Sequence, residues 1–238
     1  PFFSRRIGLR VPIIGGIRLS GNLDENWRLG VMDIQTQADQ SQDLSAQNFG
    51  VFTLQKKVLD RSNISLLFVN KQETTSNGVS KTEFNRNIGL EYNYFSEDNL
   101  WNGKLLFLQS FSPVKDKSGA VFASHIGYQS TRWNWKIQQE YVSGNYSAEV
   151  GFIPRNNFFK LESTAGHLIY TQKETSLLSH GPSIGRTYYF DTDFGKKDQT
   201  DQFKYRLNFK NRSRLSVGIN RQYIELLSDF DPLRTQLG

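Results

Sequence analysis

Three histidines and several carboxylates are the residues of this chain best suited to chemistry, but their spacing matches no catalytic motif. His125, His167 and His180 lie on different predicted strands, and none belongs to the i, i+4 pair of a metalloprotease helix. Glu91 and Glu140 take inward-facing positions, but a glycosidase needs two carboxylates about 5 to 10 Å apart, a separation that sequence does not establish. We therefore predict no catalytic residue, and enzyme activity is not the expected function of this segment.

The acidic loop at residues 191–198 is the segment most similar to a metal site. Its aspartates, together with Asp201, surround Gly195 as the carboxylates of an oxygen-rich Ca²⁺ loop would. The loop does not fit the EF-hand pattern, and its two lysines oppose a cation. We predict a solvated loop with no metal and no cofactor. The chain also has no cysteine, which excludes disulfides and Cys-ligated metals.

Polar residues that alternate with apolar ones are the better candidates for a binding surface. In a strand, period-two alternation places the two sets on opposite faces. The polar set would line a lumen, and its candidate lumen or constriction residues are Arg155, Lys136, Glu140, Lys204, Arg206, Asn134 and Gln138. The apolar set would face lipid, and it comprises Trp133, Trp135, Ile137, Phe203, Tyr205, Leu207 and Phe209.

These residues belong to about twelve alternating segments, so the predicted fold is all-β. Strands are expected near residues 13–20, 27–36, 47–57, 63–71, 82–95, 100–111, 120–129, 133–142, 159–171, 178–190, 201–210 and 214–226. Long polar connections at 37–46, 72–81, 112–119, 143–158 and 191–200 alternate with short turns at 58–62, 96–99, 130–132, near 172 and at 211–213. Antiparallel neighbours place every second connection at the same end. This asymmetry predicts an antiparallel up-and-down transmembrane β-barrel of the outer-membrane type.

Composition agrees with a barrel. No stretch approaches the roughly 20 apolar residues of a spanning helix, and aromatic residues make up 13% of the chain, many of them at predicted strand ends. The net charge of +6 is spread over many strands and loops, so we expect no nucleic-acid partner. Because Lys104, Lys136, Lys204, Arg206 and Lys210 alternate with apolar neighbours, we expect a lumen that mildly favours anions.

Residues 1–238 are predicted to form a single, partial barrel region. The sequence opens without a Met or a signal peptide and ends in a loop-like stretch, so we expect chain both upstream and downstream. An open part-barrel would expose two strand edges and aggregate, so this segment should be stable only within a larger barrel.

Residues 144–157 should be irregular, because Gly151 and Pro154 weaken strand pairing. This long segment folds inward as a constriction loop, with Arg155 facing the lumen, or forms a plain extracellular loop. The sequence leaves both alternatives open.

Three motifs resemble the barrel region of the DUF5916 family of Bacteroidota. Residues 2–8 and 12–21 are similar to its opening, residues 30–36 to its strand ending in Gln-Thr, and residues 149–155 to its Glu-Val-Gly-Phe-(Val/Ile)-Pro-Arg motif. The resemblance implies a bacterial outer-membrane protein with a family 9 carbohydrate-binding-like module upstream. It transfers no catalytic residue.

Two functions follow as hypotheses. The first is a channel or transport component for glycans or other polar solutes, because inward amides such as Asn85, Asn87 and Asn134 can both donate to and accept from sugar hydroxyls. The second is a membrane anchor or scaffold for the upstream module, with no transport of its own. The expected partners are outer-membrane lipid, a glycan ligand and outer-membrane proteins. A soluble all-β binding protein is a third, weaker hypothesis, and it would bury the aromatic faces in a core.

Overall fold

The computed structural model describes residues 3–4, 7, 11–39, 44–75, 78–113, 118–152, 155–172 and 175–225. These residues form no helix, so none that is long and apolar enough to cross a membrane. The strands are β1 (Phe3–Ser4), β2 (Ile13–Asn22), β3 (Trp27–Thr36), β4 (Ala46–Val58), β5 (Ser62–Thr75), β6 (Gly78–Phe95), β7 (Trp101–Phe111), β8 (Gly119–Gln129), β9 (Trp133–Val142), β10 (Gly151–Phe152), β11 (Phe158–His167), β12 (Ile169–Tyr170), β13 (Leu177–Phe190), β14 (Lys196–Phe209) and β15 (Arg214–Ile224).

Thirteen of the described strands build one antiparallel, up-and-down sheet, and β1 pairs with β10 in a separate two-stranded sheet. The order of the larger sheet is β15-β14-β13-β11-β9-β8-β7-β6-β5-β4-β3-β2, with β12 paired beside β13. The predicted all-β class and the antiparallel order are thereby confirmed. Within the described residues the sheet is open, with β2 and β15 at its edges, and every residue of both edge strands is exposed.

Short polar side chains form the turns at one end of the sheet, which we call the turn end. Asp24 Oδ1 accepts hydrogen bonds from the backbone N–H groups of Asn26 (2.7 Å) and Trp27 (2.8 Å). Asp98 Oδ1 accepts from the Ser96 hydroxyl (2.6 Å) and from the Leu100 N–H (3.0 Å), and these bonds lower the pKa of Asp98. Such bonds offer the backbone an alternative to the ladder, so the strands reverse where these residues occur.

The opposite end, which we call the loop end, carries the connections at 37–45, 112–118, 143–157 and 191–195. Two predicted loops there are shorter than expected. The loop at 72–81 was wrong in extent, because β5 and β6 stay paired up to Thr75 and Gly78. The loop at 191–200 was also too long, because Lys196 already pairs with Phe190. In both cases polar strand residues have cross-strand partners, so their polarity did not mark a loop.

The predicted strand at 159–171 is interrupted. The β11 strand ends at His167, the Leu168 N–H donates to the Arg132 carbonyl (2.7 Å), and the chain then pairs with β13 alone as β12. A close approach accompanies the break: a Cβ on Gly181 would lie 1.8 Å from the His167 carbonyl oxygen. Only a glycine fits there without displacing the backbone.

The two clusters of buried apolar side chains lie on one face of the sheet, which we call the inner face. The first cluster comprises Leu106, Leu108, Val121, Val142, Tyr146 and Phe158, and the second comprises Phe49, Val69 and Val150. Tyr146 and Val150 come from the connection at 143–157 and not from a strand. This connection therefore covers part of the inner face.

Candidate functional site

The cross-strand register assigns the predicted polar and apolar sets to opposite faces. On β9, Asn134, Lys136, Gln138 and Glu140 are paired with Gly166, Thr164, Glu162 and Lys160 on the inner face. Trp133, Trp135 and Ile137 alternate with them on the other face, which we call the outer face. On β14, Lys204 and Arg206 lie on the inner face, whereas Phe203, Tyr205, Leu207 and Phe209 lie on the outer face.

The segment at residues 143–157, which we call the inner loop, folds back onto the inner face. Tyr146 is 1% exposed and packs in the cluster with Leu106, Val121 and Phe158. Val150 packs against Phe49 and Val69 in the second cluster. The apolar seat of the loop therefore spans strands β4 to β9 together with the start of β11.

Three hydrogen bonds from two inner-face residues, Asn85 and Ser110, fix the backbone of the inner loop. Asn85 is fully buried; its Nδ2 donates to the Ser147 carbonyl (3.1 Å), and its Oδ1 accepts from the Glu149 N–H (3.1 Å). Ser110 Oγ accepts from the Ser147 N–H (3.1 Å). A buried backbone group without a hydrogen-bond partner is costly. The two side chains supply partners for backbone groups that have none within the loop itself.

Two ion pairs connect the inner loop to distant strands. Lys71 Nζ on β5 lies 2.6 Å from Glu149 Oε2, and Arg155 Nη1 lies 2.7 Å from Asp198 Oδ2 on β14. The Arg155 guanidinium also lies 5.3 Å from the centroid of the Tyr189 ring. The inner loop therefore contacts two strands that stand seven places apart in the order of the sheet.

Two buried polar atoms beneath the inner loop have no hydrogen-bond partner among the described residues. They are the Tyr146 hydroxyl and Asn87 Oδ1. Burial raises the pKa of the Tyr146 hydroxyl well above its ordinary value, so the group stays protonated. A protonated hydroxyl of this kind is not an activated nucleophile.

The inner loop leaves a large part of the inner face uncovered. Asn134, Lys204 and Arg206 are exposed, and Lys136, Gln138 and Glu140 are half-buried. Charges of both signs alternate along this surface. Lys160 lies 2.6 Å from Glu162, and Lys104 lies 2.6 Å from Glu91.

A cavity of about 530 Å³ lies on the inner face of β2 to β7. Its polar lining comprises Arg18, Arg28, Thr53, Gln55, Ser65 and Glu91, over an apolar floor that includes Leu67 and Leu106. Gly89 opens this floor, because a Cβ there would lie 2.4 Å from Leu108 Cδ2. A polar solute could meet both charges and hydroxyls here.

The histidines and the acidic loop form no joint site. His125 lies on the inner face, the His167 ring stacks on Trp133 with centroids 4.0 Å apart, and His180 bonds the Tyr205 hydroxyl. The Asp191 carboxylate accepts the Gly195 N–H (2.7 Å), which lowers its pKa. In the part of the chain that the structure describes, no group of three potential ligands could hold a metal.

Sequence reasoning did not predict which residues hold the inner loop against the inner face. Ser110, Gly119 and Tyr146 carry no motif, and their roles depend on contacts between residues far apart in the chain. The only available signal was the length and irregularity of the segment at 144–157.

Comparison with protein-family models, with curated proteins and with solved structures finds no significant match.

Proposed function

We propose that this chain forms the wall of a bacterial outer-membrane β-barrel that conducts polar solutes such as glycans past a constriction formed by the inner loop. The observation that carries the proposal is the contrast between the two faces of the sheet. The outer face exposes large apolar side chains on successive strands, including Leu90 (51%), Leu105 (51%), Ile137 (47%) and Ile184 (59%). The inner face carries amides and charges.

The outer face is also banded, as lipid-facing barrel surfaces are. Aromatic residues near the turn end are Trp27, Tyr94, Trp101, Tyr128, Trp133 and Trp135, and those near the loop end are Phe111, Tyr141, Phe159, Tyr188, Phe190 and Tyr223. Aliphatic residues lie between the bands: Leu66, Leu90, Leu105, Ile126, Ile137 and Ile184. Phe52, Phe68, Phe107 and Phe203 are aromatic exceptions within the middle band.

This pattern argues against a water-facing outer surface. Soluble monomers rarely expose a contiguous apolar patch larger than a few hundred Å². The aromatic side chains of the outer face, such as Trp133 at 53% exposure, are not packed into a second layer among the described residues. A soluble binding protein would need such a layer.

The stagger of the strands supports closure into a barrel. A row of cross-strand partners begins at Trp27, the first residue of β3, and passes through Tyr92 and Leu105 to Tyr188, near the loop end of β13. A closed barrel needs tilted strands and a register that shifts in one direction around the wall. The observed shift is of that kind.

A constriction is favoured over a complete plug because the inner loop covers only part of the inner face. Asn134 on β9 and Lys204 and Arg206 on β14 remain exposed beside the inner loop. Amides and cationic side chains at a narrow passage can exchange hydrogen bonds with sugar hydroxyls. Arg155, although paired with Asp198, remains 43% exposed at this position.

The second candidate function is a membrane anchor or scaffold. The observation that favours it is the firm attachment of the inner loop, whose β10 also pairs with β1. Under this hypothesis the interior is closed, and outer-membrane partner proteins copurify. The similarity of three motifs to the DUF5916 family would suit either function. It remains a proposal, and the barrel does not depend on it.

The test is single-channel conductance of the full-length protein, purified from an outer membrane and inserted into planar bilayers, with maltooligosaccharides as blockers. Steady conductance that sugar interrupts supports the channel. A barrel that inserts but stays silent supports the scaffold. Failure to insert into an outer membrane overturns both candidates.

A further inference from the structure

A groove of about 1030 Å³ runs along the outer face across β9, β11, β13, β14 and β15. Its floor is formed by β11, where the outward side chains are the small residues Ser163 and Ala165. Trp135 and Ile137 on β9 form one wall, and Ile184 and Phe203 form the other. A strand with small side chains between strands with large ones leaves a groove that is open toward the surroundings.

One end of the groove is charged. Arg186, Asp201 and Arg221 are cross-strand neighbours in a single row over β13, β14 and β15. The Arg186 Nε donates to Asp201 Oδ1, and the other carboxylate oxygen of Asp201 accepts from Gln199 (2.6 Å). Both oxygen atoms of the Asp201 carboxylate thus already accept a hydrogen bond.

The charges in this row do not balance. The Arg186 side chain is 55% exposed despite its ion pair, and among the described residues Arg221 has no ion pair. Two guanidinium groups therefore face one carboxylate, which leaves an excess positive charge at the groove end. Arginine presents a planar set of donors that matches a phosphate, so an anionic phosphate would complete this row.

The position of the charged row fits a lipid. It lies one step inward from Tyr188 and Tyr223, which belong to the aromatic band of the loop end. From there the apolar groove extends toward Trp133 at the turn end, over about 13 Å of strand. Long cationic side chains can extend from such a depth toward the headgroup region.

We propose that this groove is a binding site for an acidic phospholipid, with the phosphate on Arg186 and Arg221 and one acyl chain over Ser163 and Ala165. The inference rests on the proposed function, because it requires the outer face to meet lipid. It goes beyond that function by assigning a specific lipid class to a specific site. A generic apolar belt would not discriminate among headgroups.

The test uses the full-length protein in nanodiscs that contain phosphatidylglycerol and phosphatidylcholine, with retained lipid counted by native mass spectrometry. The protein is expected to retain phosphatidylglycerol preferentially. Removing one arginine should weaken this retention about fivefold, as is typical of one basic group near an anionic lipid. Arg186→Gln combined with Arg221→Gln should abolish the preference, whereas Arg86→Gln, elsewhere on the outer face, should leave it intact.

A groove-filling variant tests the acyl site separately. Ala165→Leu should reduce retention, and the matched control Ser124→Leu, at an outer position on β8, should not. Equal retention of both lipids, or equal effects of variants and controls, would overturn the inference while leaving the barrel intact. A dimer that occupies this face instead of lipid would also overturn it. Absence of the protein from the membrane fraction would instead contradict the proposed function itself.

Discussion

Gly119 lies directly against the backbone of Tyr146: a Cβ at position 119 would be 2.2 Å from the Tyr146 Cα and N atoms. The first residue of β8 is thus a point of close approach between the inner loop and the sheet. Position 119 accepts no side chain unless the loop moves. The contact makes the docking of the loop directly testable.

Gly119→Ala is expected to displace the inner loop and to destabilise the protein by about 1–3 kcal/mol, the usual cost of overpacking. Because the chain has no cysteine, an Ala148→Cys background gives a single thiol in the loop. Its rate of maleimide labelling should rise in the Gly119→Ala variant. Gly50→Ala is the control, since a Cβ there meets nothing closer than 3.9 Å. Equal labelling rates in the two variants would contradict the docking.

Asn85→Leu should loosen the inner loop, because it leaves the Ser147 carbonyl and the Glu149 N–H without partners. Unsatisfied buried groups cost about 1–3 kcal/mol. The free energy of unfolding in urea should fall by this amount, and single-channel conductance should rise as the constriction widens. The control is Asn93→Leu, because among the described residues the Asn93 side chain bonds Asn63 and Glu91 of the sheet and not the inner loop. Conductance that changes equally in both variants would show that the inner loop does not control it.

Ile137→Arg and Gln138→Arg introduce the same charge on opposite faces of β9. Arginine at a lipid-facing site near the bilayer midplane costs about 2–4 kcal/mol, whereas a lumen-facing site tolerates it. Unfolding from lipid vesicles should therefore show a large loss of stability for Ile137→Arg and little for Gln138→Arg. Similar losses for both variants would indicate that the outer face does not meet lipid.

Lys204→Glu with Arg206→Glu should reverse the selectivity of the passage. Both side chains are exposed on the inner face, so they should attract anions in the unmodified protein. Reversal potentials under a salt gradient should shift toward cations in the double variant. Lys56→Glu, on the outer face beside Trp27, should leave them unchanged. Cation preference in the unmodified protein would reject an anion-favouring interior.

The strands were predictable because alternation is a local property. The segment at 133–142 agrees with β9 to the residue, since Trp133, Trp135 and Ile137 alternate strictly with polar neighbours. The polar stretch at 196–200 resembles a loop in sequence, but it forms the start of β14. Its partners, such as Thr187 opposite Thr200, lie on another strand and cannot be seen in the local pattern. Alternation also indicates which residues share a face of the sheet. It does not reveal which inner-face residues the inner loop covers.

The inner loop was only half predictable. The sequence predicts an irregular segment from Gly151, although the structure pairs Gly151 with Ser4 in the short strand β10. The direction of the loop depends on Asn85, Ser110 and Gly119, whose contacts in the loop lie 26 to 64 residues further along the chain. No pattern within the loop encodes those contacts. The groove over Ser163 and Ala165 was likewise hidden, because small residues gain meaning only beside the large ones on neighbouring strands.

The seat of the inner loop also has an implication for the order of folding. Each strand of the main sheet pairs with a strand close to it in sequence, so the sheet can grow one hairpin at a time from the first strands onward. Lys71, Asn85, Ser110 and Gly119 all precede the loop in the chain. If the strands pair from the N-terminus onward, these four residues are in place before the loop docks, whereas Phe158 at the start of β11 joins the apolar seat only afterwards. The ion pair of Arg155 with Asp198 must wait for β14, so it would be among the last contacts to form.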